Sequence, residues 1–311
     1  MVGHSYQGRD INGILLLDKP CGRSSNNLLQ KVKQLFLANK AGHTGALDPL
    51  ATGMLPICFG EATKFSQYLL KADKRYHVTA FFGKRTNTSD SDGQTVSIRP
   101  VSINQEDLTV ALNHFRGKIS QIPSMFSALK HQGHPLYKYA RKGITIQREP
   151  RLIYVYDLKL RNWKLPEVEI EVHCSKGTYI RTLIDDLGEY LGCGAHVTAL
   201  RRLAVGQYTT NQMVTLARIE EISEAIKKKS LQTFTLLDSL LLPTDSALSN
   251  IPTVNLTSII AEQIRLGKTV SISKQITYGL VRLTEGDANR FFGIAEIVTL
   301  GQLTPRRLML K

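Results

Sequence analysis

Gly42-His43-Thr44-Gly45-Ala46-Leu47-Asp48-Pro49-Leu50-Ala51-Thr52-Gly53 is the stretch on which the reading of this chain turns. Three glycines in twelve residues, with a proline directly after the acid, are incompatible with a regular helix or a central strand. The spacing predicts a fixed loop that presents one carboxylate, Asp48, beside one imidazole, His43. Leu47, Leu50 and Leu55 supply apolar anchors that hold such a loop on a core and Asp48 in a single pose. An isolated Asp-Pro is an ordinary turn; the whole string is what singles this one out.

A chain of 311 residues is long enough for one large domain and a small one. Its 42% hydrophobic and 21% charged content belongs to a folded globular protein rather than a disordered one. The 40 Lys and Arg exceed the 26 Asp and Glu by a net charge of +14, a surplus that points to a polyanionic partner without naming the chemistry. Cys21, Cys58, Cys174 and Cys193 are scattered with no C-x-x-C pair, so free thiols in a reducing compartment are expected, with neither a disulfide nor a metal site. His131 and His134 form an H-x-x-H, but Gly133 between them and the lack of further ligands nearby make it loop. No apolar run approaches the ~18–20 residues of a membrane span. The first ten residues lack the basic segment and apolar core of a secretory signal, so a soluble, cytoplasmic protein is expected.

Periodicity orders the rest. Ile14 to Leu17 is a buried strand stopped by Asp18-Lys19-Pro20, and Ser24 or Ser25 caps a helix with Leu28, Leu29, Val32, Leu35 and Phe36 on one face. Ala62 to Leu70 is helical, and Lys74 to Phe82 alternates as a strand with Tyr76, Val78 and Ala80 on one side. Residues 84–98, rich in Thr, Ser, Asp and Gly, read as an exposed, mobile loop. A helix from Gln105 to Phe115 precedes an irregular basic insertion, residues 118–150, with Lys118, Lys130, Lys138, Arg141, Lys142 and Arg148. Ile153 to Leu160 and Val168 to Cys174 read as paired antiparallel strands; Tyr179 to Leu191 is a helix with Asp185 and Asp186 on its solvated side. A helix from Val214 to Lys228, a linker at 243–252 and a β-rich tail with runs at Thr269 to Ile272, Tyr278 to Arg282 and Phe291 to Val298 complete the chain.

The twelve-residue string resembles, without a gap, the catalytic loop G-x-x-G-x-L-D-P-x-A-x-G of the TruB family of tRNA pseudouridine synthases. Four further stretches are similar to that family's motifs, in the same order: Asp18-Lys19-Pro20-Cys21-Gly22-Arg23-Ser24-Ser25, Lys74-Arg75-Tyr76, Gly177-Thr178-Tyr179-Ile180-Arg181 and Ala199-Leu200-Arg201-Arg202. Gln121 to Lys130 resembles the motif of the family's RNA-binding insertion, departing at Ser124, where a second Pro is usual, and at Phe126, where Tyr is common. The likeness is close over residues ~10–210 and loose in the tail.

The resemblance implies an α+β fold: a mixed α/β catalytic domain around an antiparallel sheet, residues 10–242, and a small β-rich PUA-like RNA-binding domain, residues 251–311. It implies isomerisation of uridine 55 in the T-arm of tRNA, which breaks N1–C1′, turns the uracil and joins C5 to C1′. That reaction needs neither cofactor nor metal, and the chain carries no G-x-x-x-x-G-K-[ST] phosphate loop. Asp48 takes the nucleophile's place, in the manner of a retaining glycosidase carboxylate; attack at C1′, attack at the ring and abstraction of a 2′ proton all remain open. Arg181 pairs with it, Tyr179 lines the uracil pocket, and Leu200 packs in the active site. Tyr76 stacks on the base with its hydroxyl near C5, a position that a core-filling strand aromatic fits equally. A uridine in a folded loop must be extruded, and His43 then contacts the RNA where the base was. Lys19, Lys130, Tyr137, Arg141 and Arg202 are the further RNA-facing candidates, Lys19 with a structural alternative. The tRNA T-arm is the expected partner and a monomer the expected state. A tRNA-binding or folding protein without turnover, and a synthase acting on another RNA, are the competing readings. The Asp48, Arg181 and Tyr76 triple counts against the first, and the long basic insertion counts against the second.

Overall fold

β1 (Gly13–Lys19) shows how the sheet is built: Leu15 and Leu17 bury on one face, Ile14 and Leu16 on the other, so the apolar run is a strand covered on both sides. The computed structural model describes residues 8–228, 234–272, 278–299 and 301–309; the stretch read for a secretory signal falls, over residues 1–7, outside them. Ser24 starts α1 (Ser25–Leu35) by accepting the Asn27 amide, and Leu28, Leu29 and Val32 bury against β1.

There follow β2 (Ala41–His43), β3 (Thr52–Phe59), a 3₁₀ turn leading into α2 (Ser66–Lys71), β4 (Lys74–Phe82) and a hairpin of β5 (Lys84–Thr86) and β6 (Thr95–Ile98). Next come α3 (Gln105–His114), β7 (Gly117–Gln121), a short hairpin of β8 (Lys130–His131) and β9 (His134–Pro135), and α4 (Leu136–Ala140). The second half holds β10 (Arg151–Lys164), β11 (Glu167–Cys174), α5 (Ile180–Tyr190), β12 (Ala195–Val205), β13 (Val214–Thr215), α6 (Leu216–Lys228) and α7 (Thr235–Asp238). Among the described residues, nine of these strands form one sheet in the order β13-β1-β3-β12-β4-β11-β10-β7, with β2 on β3. Two neighbour pairs, β1 with β13 and β3 with β12, are parallel, so the expected α+β architecture holds around a mixed rather than a wholly antiparallel sheet. Tyr76, Val78, Ala80, Ile170, Val172 and Val155 bury one face of it beneath α3 and α5.

The tail is β-rich as expected. β14 (Thr253–Leu256), α8 (Ser258–Arg265), β15 (Val270–Ser271), β16 (Gly279–Glu285), β17 (Arg290–Thr299) and β18 (Gln302–Leu308) include a five-stranded sheet, order β14-β16-β17-β18-β15, with its own core.

Four segments depart from the sequence reading. Only residues 44–51 of the glycine stretch are loop; its ends belong to β2 and to the central strand β3. Gly53 is the reason a glycine sits in a central strand: its φ is +95°, and a Cβ there would lie 2.3 Å from the Arg202 carbonyl oxygen of β12. The stretch at 84–98 is an ordered hairpin. Residues 118–121 are edge strand β7, paired with β10, and not irregular. The polar stretch at 243–252 packs through Leu248, buried beside Phe65 and Ile294.

Gly53→Ala is expected to cost more than ~2 kcal/mol, from the left-handed backbone and the clash with β12 together. Gly22→Ala, at φ +82° with open space around it, carries only the backbone part, about 1 kcal/mol. Urea midpoints of the two variants check the contrast.

Candidate active site

The loop at 44–51 is held from below by the N-terminal motif. Lys19 Nζ donates to the carbonyls of Pro20, Pro49 and Ala51 at 2.9, 3.1 and 2.6 Å. Ser25 Oγ accepts the Leu47 amide at 2.8 Å and donates to the Leu47 carbonyl at 3.0 Å, while the Gly22 amide reaches Pro49 O. From the other side Arg202 donates to Met54 O at 2.6 Å and Gly45 O at 2.9 Å. Leu47 is buried and Leu50 packs on the same core as Tyr76 and Leu200, so the loop is pinned by apolar contact as well; Leu55 faces the opposite cluster.

These contacts correct two expectations. Lys19, for which a structural place was the alternative, and Arg202 are both buried, with every nitrogen described above turned to protein carbonyls and holding the loop at 44–51 rather than facing outward. Burial drives the Lys19 ammonium down to about 8, against the pull of the nearby Cys21 and Asp48. Arg201, the other cation of that motif, is engaged by both oxygens of Asp18.

At the crest of the loop Asp48 meets Arg181 in a two-pronged pair: Oδ2 to Nε at 2.9 Å and Oδ1 to Nη2 at 3.2 Å. Arg181 is 5% exposed, whereas 39% of the Asp48 side chain remains open to solvent. The rest of the guanidinium is fixed too. Nη1 donates to Thr88 O at 2.9 Å and lies 3.3 Å from Asp90 Oδ2, and Nη2 donates to Phe126 O at 2.8 Å. Burial pushes the Asp48 carboxyl above its ordinary value, Arg181 opposes that, and the buried Asp90 adds to it.

The aromatic walls follow from register. Tyr76 lies on β4 between Arg202 of β12 and Val172 of β11, and Leu200 stands opposite Val78, so Tyr76 and Leu200 share the core under Asp48. Tyr179 precedes α5 without a side-chain cap; instead Gln121 clasps its backbone, accepting the amide at 2.9 Å and donating to the carbonyl at 3.1 Å. Burial raises the phenols of Tyr76 and Tyr179, which therefore stay protonated near neutrality and are poor bases. His43 sits at the end of β2; burial and then Arg202 lower its imidazole, which favours the neutral ring. Lys130 and Arg141 are exposed on the segment between β7 and β10, and the Arg141 guanidinium lies 5.4 Å from the Tyr137 ring centre.

Asp90 and Gln121 are the site residues that sequence reasoning missed. Asn87-Thr88-Ser89-Asp90 has a loop's composition, yet those residue types also bond their own backbone into ordered turns, and Thr86 and Thr88 do so here to Asp90. Asp185 was likewise placed in solvent, whereas Arg85 grips both its oxygens at 2.7 and 3.0 Å; Asp186 is exposed.

Three family models match the chain in series: TruB family pseudouridylate synthase (N terminal domain) at residues 33–180, tRNA pseudouridylate synthase B C-terminal domain at 181–249, and Pseudouridine synthase II TruB, C-terminal, at 252–309. Over 305 residues the chain is 67% identical to tRNA pseudouridine synthase B of Sodalis glossinidius (strain morsitans), spanning 98% of this chain and 97% of that one. The protein of the same name from Serratia proteamaculans (strain 568) is 56% identical over the same spans. Among solved structures, a chain of a Cbf5-Nop10-Gar1 complex superposes with a TM-score of 0.74 at 22% identity, over 96% of this chain and 85% of that one. A chain of an H/ACA RNP bound to a substrate RNA containing 2'-deoxyuridine gives 0.73 at 21%, over the same shares. At that identity the likeness is one of fold.

The charge arrangement predicts the titration of Asp48. Its midpoint, followed by carboxyl ¹³C NMR, is expected above the ordinary aspartate range. Removing a negative neighbour with Asp90→Asn lowers it, and removing the cation with Arg181→Met raises it further.

Proposed function

The chain belongs to the TruB family of pseudouridylate synthases, and on that premise we propose that it isomerises uridine 55 in the T-arm of tRNA to pseudouridine, with Asp48 as nucleophile. The observation that carries this reading is the Asp48–Arg181 pair: a carboxyl group bound by a buried cation and still open to solvent on one side. A nucleophile needs both, charge to attack and access to the substrate.

The remaining roles follow the site's layout. Tyr76 and Tyr179 flank the extruded uracil and Leu200 closes the pocket beneath it. Their protonated phenols suit stacking and hydrogen bonding better than proton abstraction. His43, as a neutral ring beside the loop, fills the space left by the flipped base and contacts the RNA. Lys130, Tyr137 and Arg141, within the insertion at 118–150, grip the T-arm, neutralising phosphate and stacking on exposed bases. The domain at 10–242 carries the chemistry, and the PUA-like module at 251–311 adds a second RNA contact. The enzyme works in the cytoplasm as a monomer and without a cofactor.

Tritium release from a tRNA transcript carrying [5-³H]uridine tests the assignment. Wild type is expected to release close to one equivalent per tRNA. Asp48→Asn is expected to release none while binding tRNA within a few-fold of wild type; retained turnover in that variant removes Asp48 as nucleophile. The salt dependence of binding tests the RNA face. Lys130→Ala or Arg141→Ala lowers the slope of log K against log salt by a little under one unit each. The Lys19→Met variant, which alters a buried cation, leaves that slope unchanged.

A further inference from the structure

Arg181 is the first of three charged residues spaced one helical turn apart on α5, followed by Asp185 and Glu189. All three face the same structure, the β5–β6 hairpin and its exit. Arg181 donates to Thr88 O and lies against Asp90. Asp185 receives Arg85 on both oxygens and the Ser89 hydroxyl at 3.1 Å. Glu189 meets Arg85 at 3.3 Å and Arg99 at 2.8 Å. The hairpin that supplies Asp90 is thus locked to the helix that supplies Arg181, along the stripe that ends in the Asp48 pair.

The lock has work to do because little else fixes the azimuth of α5 at that end. No side chain caps its first turn; Gln121 holds only the Tyr179 backbone. The opposite, apolar face of α5, with Ile180, Leu183, Ile184 and Leu187, seats the helix on the sheet. Gly188 lets it lie close: a Cβ there would fall 2.1 Å from the Ala195 amide nitrogen. Apolar seating resists lifting more than small rotation or sliding, because such contacts are non-directional. Directional contacts on the polar stripe resist the rest.

We infer that the Arg85–Asp185 pair is a positioning device that sets the Arg181 guanidinium against Asp48, and that its loss lowers turnover without weakening tRNA binding. Asp185 is one turn from Arg181, and its partner Arg85 is five residues from Asp90. One ion pair therefore fixes the two elements whose separation decides whether Arg181 can hold Asp48 and Asp90 together. Neither Arg85 nor Asp185 touches the reacting atoms. Displacements of about 1 Å at a reacting group cost up to roughly a hundredfold in rate, so the effect is expected in kcat.

The inference rests on the proposed synthase reading, and the test keeps the two apart. Wild type, Arg85→Gln, Asp185→Asn, the double variant and the milder Ser89→Ala are assayed by tritium release from tRNA, with melting temperatures recorded. Absence of release from wild type defeats the synthase reading itself. With wild type active, the expected result is a kcat lowered roughly ten- to a hundredfold in Asp185→Asn and Arg85→Gln, with KM within twofold and no further loss in the double variant. Ser89→Ala gives a smaller loss in the same direction. The acid limb of kcat is expected to move to higher pH in Asp185→Asn, because Arg181 slackens its grip while burial and Asp90 still oppose the Asp48 charge. Lys19, the other cation facing Asp48, is untouched by these variants. Turnover unchanged in a folded Asp185→Asn, additive losses in the double variant, or an acid limb that stays in place would each overturn the inference.

Discussion

The pairing of the half-buried Asp48 carboxyl with the buried Arg181 guanidinium is the interaction around which this structure is arranged. Burial alone pushes Asp48 toward its neutral form, whose oxygens are far weaker nucleophiles than those of the carboxylate. Arg181 answers with two directed hydrogen bonds to the carboxylate, and its remaining N–H groups are occupied by Thr88 O, Phe126 O and Asp90. A guanidinium bound on every side cannot swing away to solvent, so the pair persists as a fixed geometry rather than an occasional contact. Asp90 plays a double part. It lies against Arg181, and its own charge opposes the pull of that cation on the Asp48 carboxyl.

Building the pair draws on four distant pieces of chain: the loop at 44–51, the β5–β6 hairpin, the segment around Phe126 and the start of α5. The sheet brings them together because β4 is flanked by β11, which leads into α5, and by β12, which borders β3 and the loop. Loop backbone is normally a surface feature whose carbonyls turn to water. Here Lys19, Ser25 and Arg202 replace water beneath the loop, which lets a turn of glycine and proline sit rigidly over an apolar core. Gly53 serves the same end, since only a residue without a Cβ lets β3 run this close to β12.

What was legible in the sequence, and what was not, divides along physical lines. Asp48, Arg181, Tyr76 and Leu200 could be read because family motifs fix them, and the structure gathers these four at one end of the sheet. The helices starting at Ser25 and Gln105 were legible because caps and apolar periodicity are local properties. Asp90 was not, because an ordered turn stabilised by Thr and Asp side chains has the same composition as a mobile one. Asp185 was misplaced because its partner lies 100 residues away, and periodicity marks a polar stripe without saying what faces it. Arg202 was read as an RNA-facing cation, and Lys19 as RNA-facing or structural, because lysine and arginine mostly lie at the surface; the carbonyls that receive them become visible only once the loop is folded.

The fate of those cations changes what the net charge means. Lys19, Lys74, Arg181 and Arg202 are buried, so part of the +14 surplus faces inward and is not available to RNA phosphates. It is spent on the field inside the cleft. Around Asp48 the cations Lys19 and Arg181 stand against the carboxylates Asp48 and Asp90, while Arg202 acts on Lys19 and His43. Lys19 and Arg181 both oppose the burial of the Asp48 charge, and Lys19 and Arg202 hold the loop that carries it. On the proposed reading the RNA grip falls instead to exposed residues such as Lys130 and Arg141, which lie on a separate segment and can vary without disturbing the charge balance at Asp48.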